Sequence, residues 1–237
     1  EMTAFTAETI RKSQQAGIEW IVATGRGFET VNPVLKKAGV SMDMILLNGA
    51  EYRSSDGKIQ YYESLMSEIN EELISFFKER RIDLELNTSK GNYATAPRLI
   101  DDSSDLIPFQ EYLKNDVHTL KIFAFSRDYE KIQNAKEKLK SRTDIRVTSS
   151  APWNIEITSP MAEKACMVKR LINEKGISPE EVKSLIEDDI QIGKVPVDPG
   201  LTNAVVGVDE AGKEIIGMNT VNEEVNAGYI LFDIIFY

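Results

Sequence analysis

The feature that most constrains this chain is the alternation of amphipathic helical stretches with short, continuously apolar runs. "TAFTAETIRKSQQAG" carries a helical pattern, "WIVA" is apolar, "FETVNPVLKK" is helical again, and "MILL" is apolar again. Apolar runs without polar alternation suit strands buried on both faces, so the order predicts a parallel sheet covered by helices on each side. Thr6 is expected to cap the first helix, with Glu8 in its first turn and Gly17 ending it. A strand over Trp20 to Ala23 follows, then a helix over about 27–37 closed by Gly39, then the strand of "MDMILLNGAEY". In such sheets functional groups collect where strands end at their carboxyl edges. Thr24-Gly25-Arg26 and Asn48-Gly49 both fall at such edges. By themselves these residues also suit ordinary strand-to-helix turns. No GxGxxG or GxxxxGK[ST] pattern is present, so a dinucleotide or P-loop site has no signature.

The middle of the chain changes character. "EYRSSDGKIQYYE" reads as a hairpin turning at Asp56-Gly57, followed by a helix from about 67 to 80 with Ile69, Leu73, Phe76 and Phe77 on its apolar face. Strands in "IDLELNT", "NYATAP" and "HTLKIFAFS", a helix in "DYEKIQNAKEKLKSR", and a strand pair in "IRVTSS" and "NIEITS" describe an α+β module with an open-faced sheet. Asp101, Asp102 and Asp105 fit a solvated acidic loop better than a metal site. His118, the only histidine, has no second His or Cys beside it and reads as a surface or hinge residue. After Pro160 a helix is expected with Met161, Ala165, Val168, Leu171 and Ile172 on one side. Lys164 lies near its start, where a lysine opposes the helix dipole. A further helix is expected from Ser178, with Pro179 and Glu181 as start signals, then strands in "IQIG" and "AVVGV". The tail "YILFDIIFY", a β-prone apolar run with a single charge, Asp233, in its middle, admits two readings: a closing helix of the core, or a strand in a vacant central slot of the sheet.

The order of "IVATGR", "ILLNGAEYRSSDGKIQYYE", an inserted α+β module and "NIEITSPMAEKACMVKRLINEKGISPEE" resembles the Cof-like branch of the haloacid dehalogenase (HAD) superfamily. The resemblance implies an α/β fold: a HAD-like Rossmannoid parallel-sheet core with an inserted α+β C2-type cap domain. It divides the chain into core residues 1–63, cap residues 64–157 and core residues 158–237. It also implies a magnesium-dependent phosphomonoesterase acting on small phosphorylated metabolites, the cap choosing the substrate. On that resemblance Thr24 matches the residue that hydrogen-bonds the phosphoryl group, with Gly25 and Arg26 beside it. Lys164 matches the lysine that balances charge between nucleophile and phosphate. Asn48 and Gly49 match the loop beside the active site. Such a pocket works by positioning and charge compensation around the transferring phosphoryl group.

Two of the family's motifs depart from the pattern. The DxDGT motif belongs on a strand ahead of the first helix, and this sequence opens at that helix, so the expectation is a chain without the attacking aspartate. The metal motif GDxxND is matched best by "GKVPVD": Lys194 replaces the first aspartate, Val197 the asparagine, and Asp198 alone remains. An ammonium against a divalent ion costs about 4 kcal/mol per unit charge at 4 Å in an intermediate dielectric. Lys194 could instead hold phosphate in the cation's place. A second alignment puts Glu187, Asp188 and Asp189 in the ligand positions. The expectation is a weak or inactive phosphatase, with a non-catalytic phosphometabolite-binding or regulatory protein of the same fold as the alternative.

Composition narrows the setting. A formal charge of -10 argues against a nucleic-acid partner held through its phosphates. No apolar run has the length of a membrane span, and no basic-then-apolar leader opens the sequence. The single cysteine, Cys166, cannot form an internal disulfide and is expected as a small core filler in a cytoplasmic protein.

Overall fold

The computed structural model describes residues 2–100, 105–176, 182–186, 203–208, 214–218 and 229–233, with side chains described through residue 176. Helix α1 (Ala4–Gln15) leads into β1 (Glu19–Ala23), α2 (Phe28–Ala38) and β2 (Asp43–Leu46). A 3-10 turn, η1 (Leu47–Gly49), then opens the hairpin β3 (Glu51–Arg53) and β4 (Ile59–Tyr62). The cap of α1 is Thr3 rather than Thr6: the Thr3 hydroxyl accepts from the Thr6 backbone N–H. Gly39 closes α2 in the left-handed conformation, as its position predicts.

These elements build the first sheet, in which β1 and β2 run parallel and the hairpin adds two antiparallel strands at one edge. Ala7 and Ile10 of α1, and Val31 and Leu35 of α2, pack with Trp20 and Val22 on one face. On the other, Ile21, Ala23 and Ile45 pack with Met167 and Leu171 of α6 (Lys164–Lys175). The strands are therefore covered on both sides, which is why they read as continuous apolar runs.

The rest of this sheet comes from the end of the sequence. Strand β11 (Val182–Ile186) and strand β14 (Tyr229–Asp233) extend it in the order β11-β14-β1-β2-β3-β4, with β14 parallel to both neighbours. Phe232 pairs with Val22, so Asp233 follows at the carboxyl edge beside Ala23. Residues 229–233 thus take the strand reading, in an interior position, and the rest of the tail lies outside the described residues. Residues 182–186 correct the helix expected from Ser178: "VKSLI" forms a strand, where β14 offers it a full ladder. The expected "AVVGV" strand exists as β12 (Asn203–Val208), but it pairs antiparallel with β13 (Glu214–Met218) in a separate two-stranded sheet. The "IQIG" segment lies outside the described residues.

Between β4 and α6 the chain forms a second six-stranded sheet. Helix α3 (Ser67–Glu79) precedes β5 (Asp83–Thr88) and β6 (Gly91–Ala94); β7 (Leu106–Pro108) and the short α4 (Phe109–Tyr112) precede β8 (Thr119–Phe125). Helix α5 (Tyr129–Leu139), β9 (Arg146–Thr148) and β10 (Asn154–Thr158) complete it, in the order β7-β6-β5-β8-β10-β9. Alternate residues of its strands, Leu84, Leu86, Ile122, Ala124, Ile155 and Ile157, pack with Leu73 and Phe77 of α3 and Ile132 and Ala135 of α5. The opposite face carries Glu85, Asn87, Asn92, Lys121 and Glu156, all buried. A face that is polar and yet shielded from water must lie against something, and for Lys121 and Glu156 that is the first sheet's loops.

Two expectations about α6 are corrected. Met161 precedes the helix and is exposed, Ala165 is exposed as well, and the buried residues are Leu171, as expected, and Met167. Cys166 is exposed and its thiol donates to the Glu163 carboxylate at 3.4 Å, because its place on the helix turns it away from the sheet.

Candidate active site

The site lies where β1 and β2 end. Thr24 is buried, and its backbone N–H donates to the Ile45 carbonyl at 2.9 Å, continuing the β1–β2 ladder one residue past the strand. The Asn48 N–H donates to the Thr24 carbonyl at 3.1 Å, and the Leu47 N–H to the Arg26 carbonyl at 3.0 Å. The Arg26 N–H turns back to the Thr24 hydroxyl oxygen at 3.3 Å. The two loops are thereby stitched into one unit.

That stitching requires unusual backbone. Leu47 and Asn48 adopt φ of 52° and 62°, in the left-handed region. For a leucine this costs roughly 1–2 kcal/mol. Leu47 is buried in the first core cluster, and that packing holds the conformation. Gly49 follows at φ 101° with its α-carbon against the start of α6: a β-carbon there would meet the carbonyl carbon of Glu163 at 2.4 Å and the Lys164 backbone nitrogen at 2.7 Å. Gly25 likewise leaves room for Asn48, whose Oδ1 would lie 2.6 Å from an added β-carbon. The sequence-predicted Thr24, Gly25, Arg26, Asn48 and Gly49, and the helix start carrying Lys164, are thus brought together around one turn. Lys194 and Asp198 lie outside the described residues.

A third contributor comes from the second sheet. The Lys121 ammonium donates to the Gly25 carbonyl at 2.7 Å and to Glu156 Oε2 at 3.0 Å. The same Glu156 oxygen accepts from Asn48 Nδ2 at 2.9 Å, and its other oxygen from the Ser150 hydroxyl at 2.8 Å. Burial alone would push the Glu156 carboxyl up, but the charge of Lys121 and the hydrogen bonds from Lys121, Ser150 and Asn48 hold it below the ordinary carboxylate range. Sequence reasoning missed this pair. The signal was one charged residue inside each apolar strand, in "TLKIFAF" and "NIEIT", which strand alternation assigns to a polar face.

A β-bulge aims Lys121. Asn87 pairs with Lys121 but Thr88 pairs with Thr119, so Leu120 is the extra residue on β8. Leu120 packs into the first core cluster while its neighbour Lys121 reaches Gly25.

The comparisons with known proteins fit this arrangement. A family model described as haloacid dehalogenase-like hydrolase matches residues 1–185. The chain belongs to the haloacid dehalogenase-like hydrolase family. Among curated relatives of this HAD chain is the phosphatase YwpJ of Bacillus subtilis, 23% identical over 209 residues that cover 74% of this chain and 73% of YwpJ. A HAD-like hydrolase structure from B. subtilis superposes with a TM-score of 0.70 at 21% identity, covering 82% of this chain and 80% of that one. A structure described as the HAD subclass IIB sugar phosphatase BT4131 superposes with a TM-score of 0.61 at 15% identity, over 81% and 76% of the two chains. At these identities the structural likeness establishes a shared fold.

The described polar side chains of this HAD site are the Thr24 hydroxyl, the Asn48 amide, which donates to Glu156, and the ammonium of Lys121, which donates to Glu156 and Gly25, with Lys164 at the adjoining helix start. Glu156, the carboxylate facing the loops, is already held by three donors. Among the described residues no group of three or more His, Cys, Asp or Glu side chains could hold a metal ion. Nor does any described helix have the length and apolarity to cross a membrane.

Proposed function

We propose that this chain handles phosphomonoesters of small metabolites at the Thr24–Asn48–α6 junction. In this reading residues 1–63 and 158–237 form the phosphate-binding core, and residues 64–157 form a C2-type cap. The observation that carries it is the convergence of the Thr24-Gly25-Arg26 loop and the Asn48-Gly49 turn, joined by hydrogen bonds, with the start of α6, where Lys164 stands, packed against Gly49. Thr24 supplies a hydroxyl, and Lys164 supplies positive charge at a helix end that already favours anions.

The chemistry such a cluster performs is phosphoryl recognition and charge compensation. Its hydrolytic rate should be low, because Lys194 stands where the family's metal motif has an aspartate. That substitution also supports the second reading, in which phosphate is retained without magnesium and without turnover.

The test is p-nitrophenyl phosphate hydrolysis and orthophosphate-dependent melting, each with and without magnesium, for the parent chain and Lys194→Asp. Millimolar orthophosphate should raise Tm whether or not magnesium is present, since a ligand that binds only the folded state stabilises it. Turnover should be slow in the parent, and in Lys194→Asp the orthophosphate-dependent rise in Tm should come to depend on magnesium. Rapid magnesium-dependent turnover by the parent would overturn the impairment, and no Tm shift at millimolar orthophosphate would overturn phosphate binding.

A further inference from the structure

We infer that Lys121, on the second sheet, is a positioning residue for the Thr24 hydroxyl: it clamps the Gly25–Arg26 peptide, so the phosphate loop is set only when the two sheets are closed on each other. The inference rests on the phosphate-binding reading for its ligand, and on the coordinates alone for its geometry.

The Gly25 carbonyl and the Arg26 N–H belong to one planar peptide unit, so fixing one end fixes the other. Lys121 Nζ holds the carbonyl at 2.7 Å, and the N–H on the opposite side meets the Thr24 hydroxyl oxygen at 3.3 Å. With that N–H donated to it, the Thr24 hydroxyl oxygen is held in one direction, and a rotated peptide would remove the constraint. Lys121 is separated from Gly25 by 96 residues, so nothing local imposes this contact. Glu156 completes the clamp by accepting from both Lys121 and Asn48, tying the second loop of the site to the same pair.

The burial of the pair argues that it serves the site rather than stability. Lys121 and Glu156 are 6% and 7% exposed. Two charges withdrawn from water gain little net stability over apolar residues of similar volume. What an apolar pair could not do is grip a carbonyl and an amide on the two active-site loops. When the sheets separate, both charges regain water and both loops lose their outside partner, so closure and loop order change together.

The experiment compares the parent chain with Lys121→Met, Lys121→Arg and the double variant Lys121→Met/Glu156→Leu. Two quantities are read: hydrogen exchange in peptides spanning residues 22–30, and orthophosphate affinity by calorimetry. Lys121→Met should speed exchange at residues 25–27 and weaken orthophosphate binding about tenfold, a loss of about 1.4 kcal/mol. Lys121→Arg should restore both in part. The double variant, which leaves no buried charge unpaired, should melt close to the parent yet keep the fast exchange and weak binding. A double variant that exchanges and binds like the parent would reduce the pair to a structural role and overturn the inference, as would an unchanged Lys121→Met. Should the parent itself not bind orthophosphate, the phosphate-binding reading falls, and exchange at residues 25–27 alone decides the clamp.

Discussion

Gly49 and Glu163 are in backbone contact where the 3-10 turn after β2 meets the head of α6. A β-carbon on Gly49 would lie 2.4 Å from the Glu163 carbonyl carbon and 2.7 Å from its oxygen. Neither atom can rotate away, because both belong to the main chain at the head of α6. With φ at 101°, Gly49 also occupies backbone space that side chains rarely tolerate. Gly49→Ala should therefore cost about 3 kcal/mol or force α6 away from the site. Urea unfolding would show a lowered midpoint, and a midpoint equal to the parent's would contradict the packing.

Lys164 should trade stability for binding. It is the first residue of α6, where the dipole disfavours a cation, and the capping residue Glu163 makes no side-chain cap bond. Lys164→Gln is expected to hold or raise stability by about 0.3–1 kcal/mol, while orthophosphate binding weakens. Melting temperature and calorimetric affinity moving in opposite directions would bear this out. Both falling together would mean that the lysine is structural.

Glu156 makes stability depend on acid. Its folded-state pKa lies below its ordinary value, so its contribution is complete above about pH 4.3 and is lost as the pH falls through the lower, folded value. Over that window the unfolded chain binds the proton that the folded chain resists. Glu156→Gln should show a shallower loss of stability between about pH 5 and pH 3 than the parent. Asp105 and Asp144, whose pKa values are also lowered, contribute the same slope to both proteins. Identical slopes would show that Lys121 does not favour the ionised carboxylate.

Strand β14 is paired on both sides, so its backbone donors serve two ladders. Proline at Leu231 removes one donor and introduces a ring into an interior strand, which sheets tolerate poorly. Leu231→Pro should cost about 3 kcal/mol or more and abolish exchange protection at Trp20 to Val22, whose strand lies alongside. Protection that survives the substitution would place β14 elsewhere.

The alternation of helical patterns with apolar runs was enough to specify the parallel sheet, its two helical layers and the strand ends at Thr24 and Asn48. These follow from local periodicity, because a strand buried on both faces must be apolar throughout. The polar strands of the insert were legible in the same way, as was the hairpin at Asp56-Gly57. Residues 182–186 were not: "VKSLI" suits either state, and the ladder along β14 decides between them. The same holds for the capping of α1, where Thr3 and Thr6 compete within one turn and only the final backbone trajectory selects Thr3. Lys121 and Glu156 mark the limit most clearly. Each is a single charge within an apolar strand, and the sequence alone assigns it to a face. That the face closes over the Gly25 carbonyl and the Asn48 amide is decided by a bulge at Leu120 and by the meeting of two sheets, contacts between residues about a hundred positions apart. Local patterns cannot encode such contacts, because their free energy exists only once both partners have been brought into place.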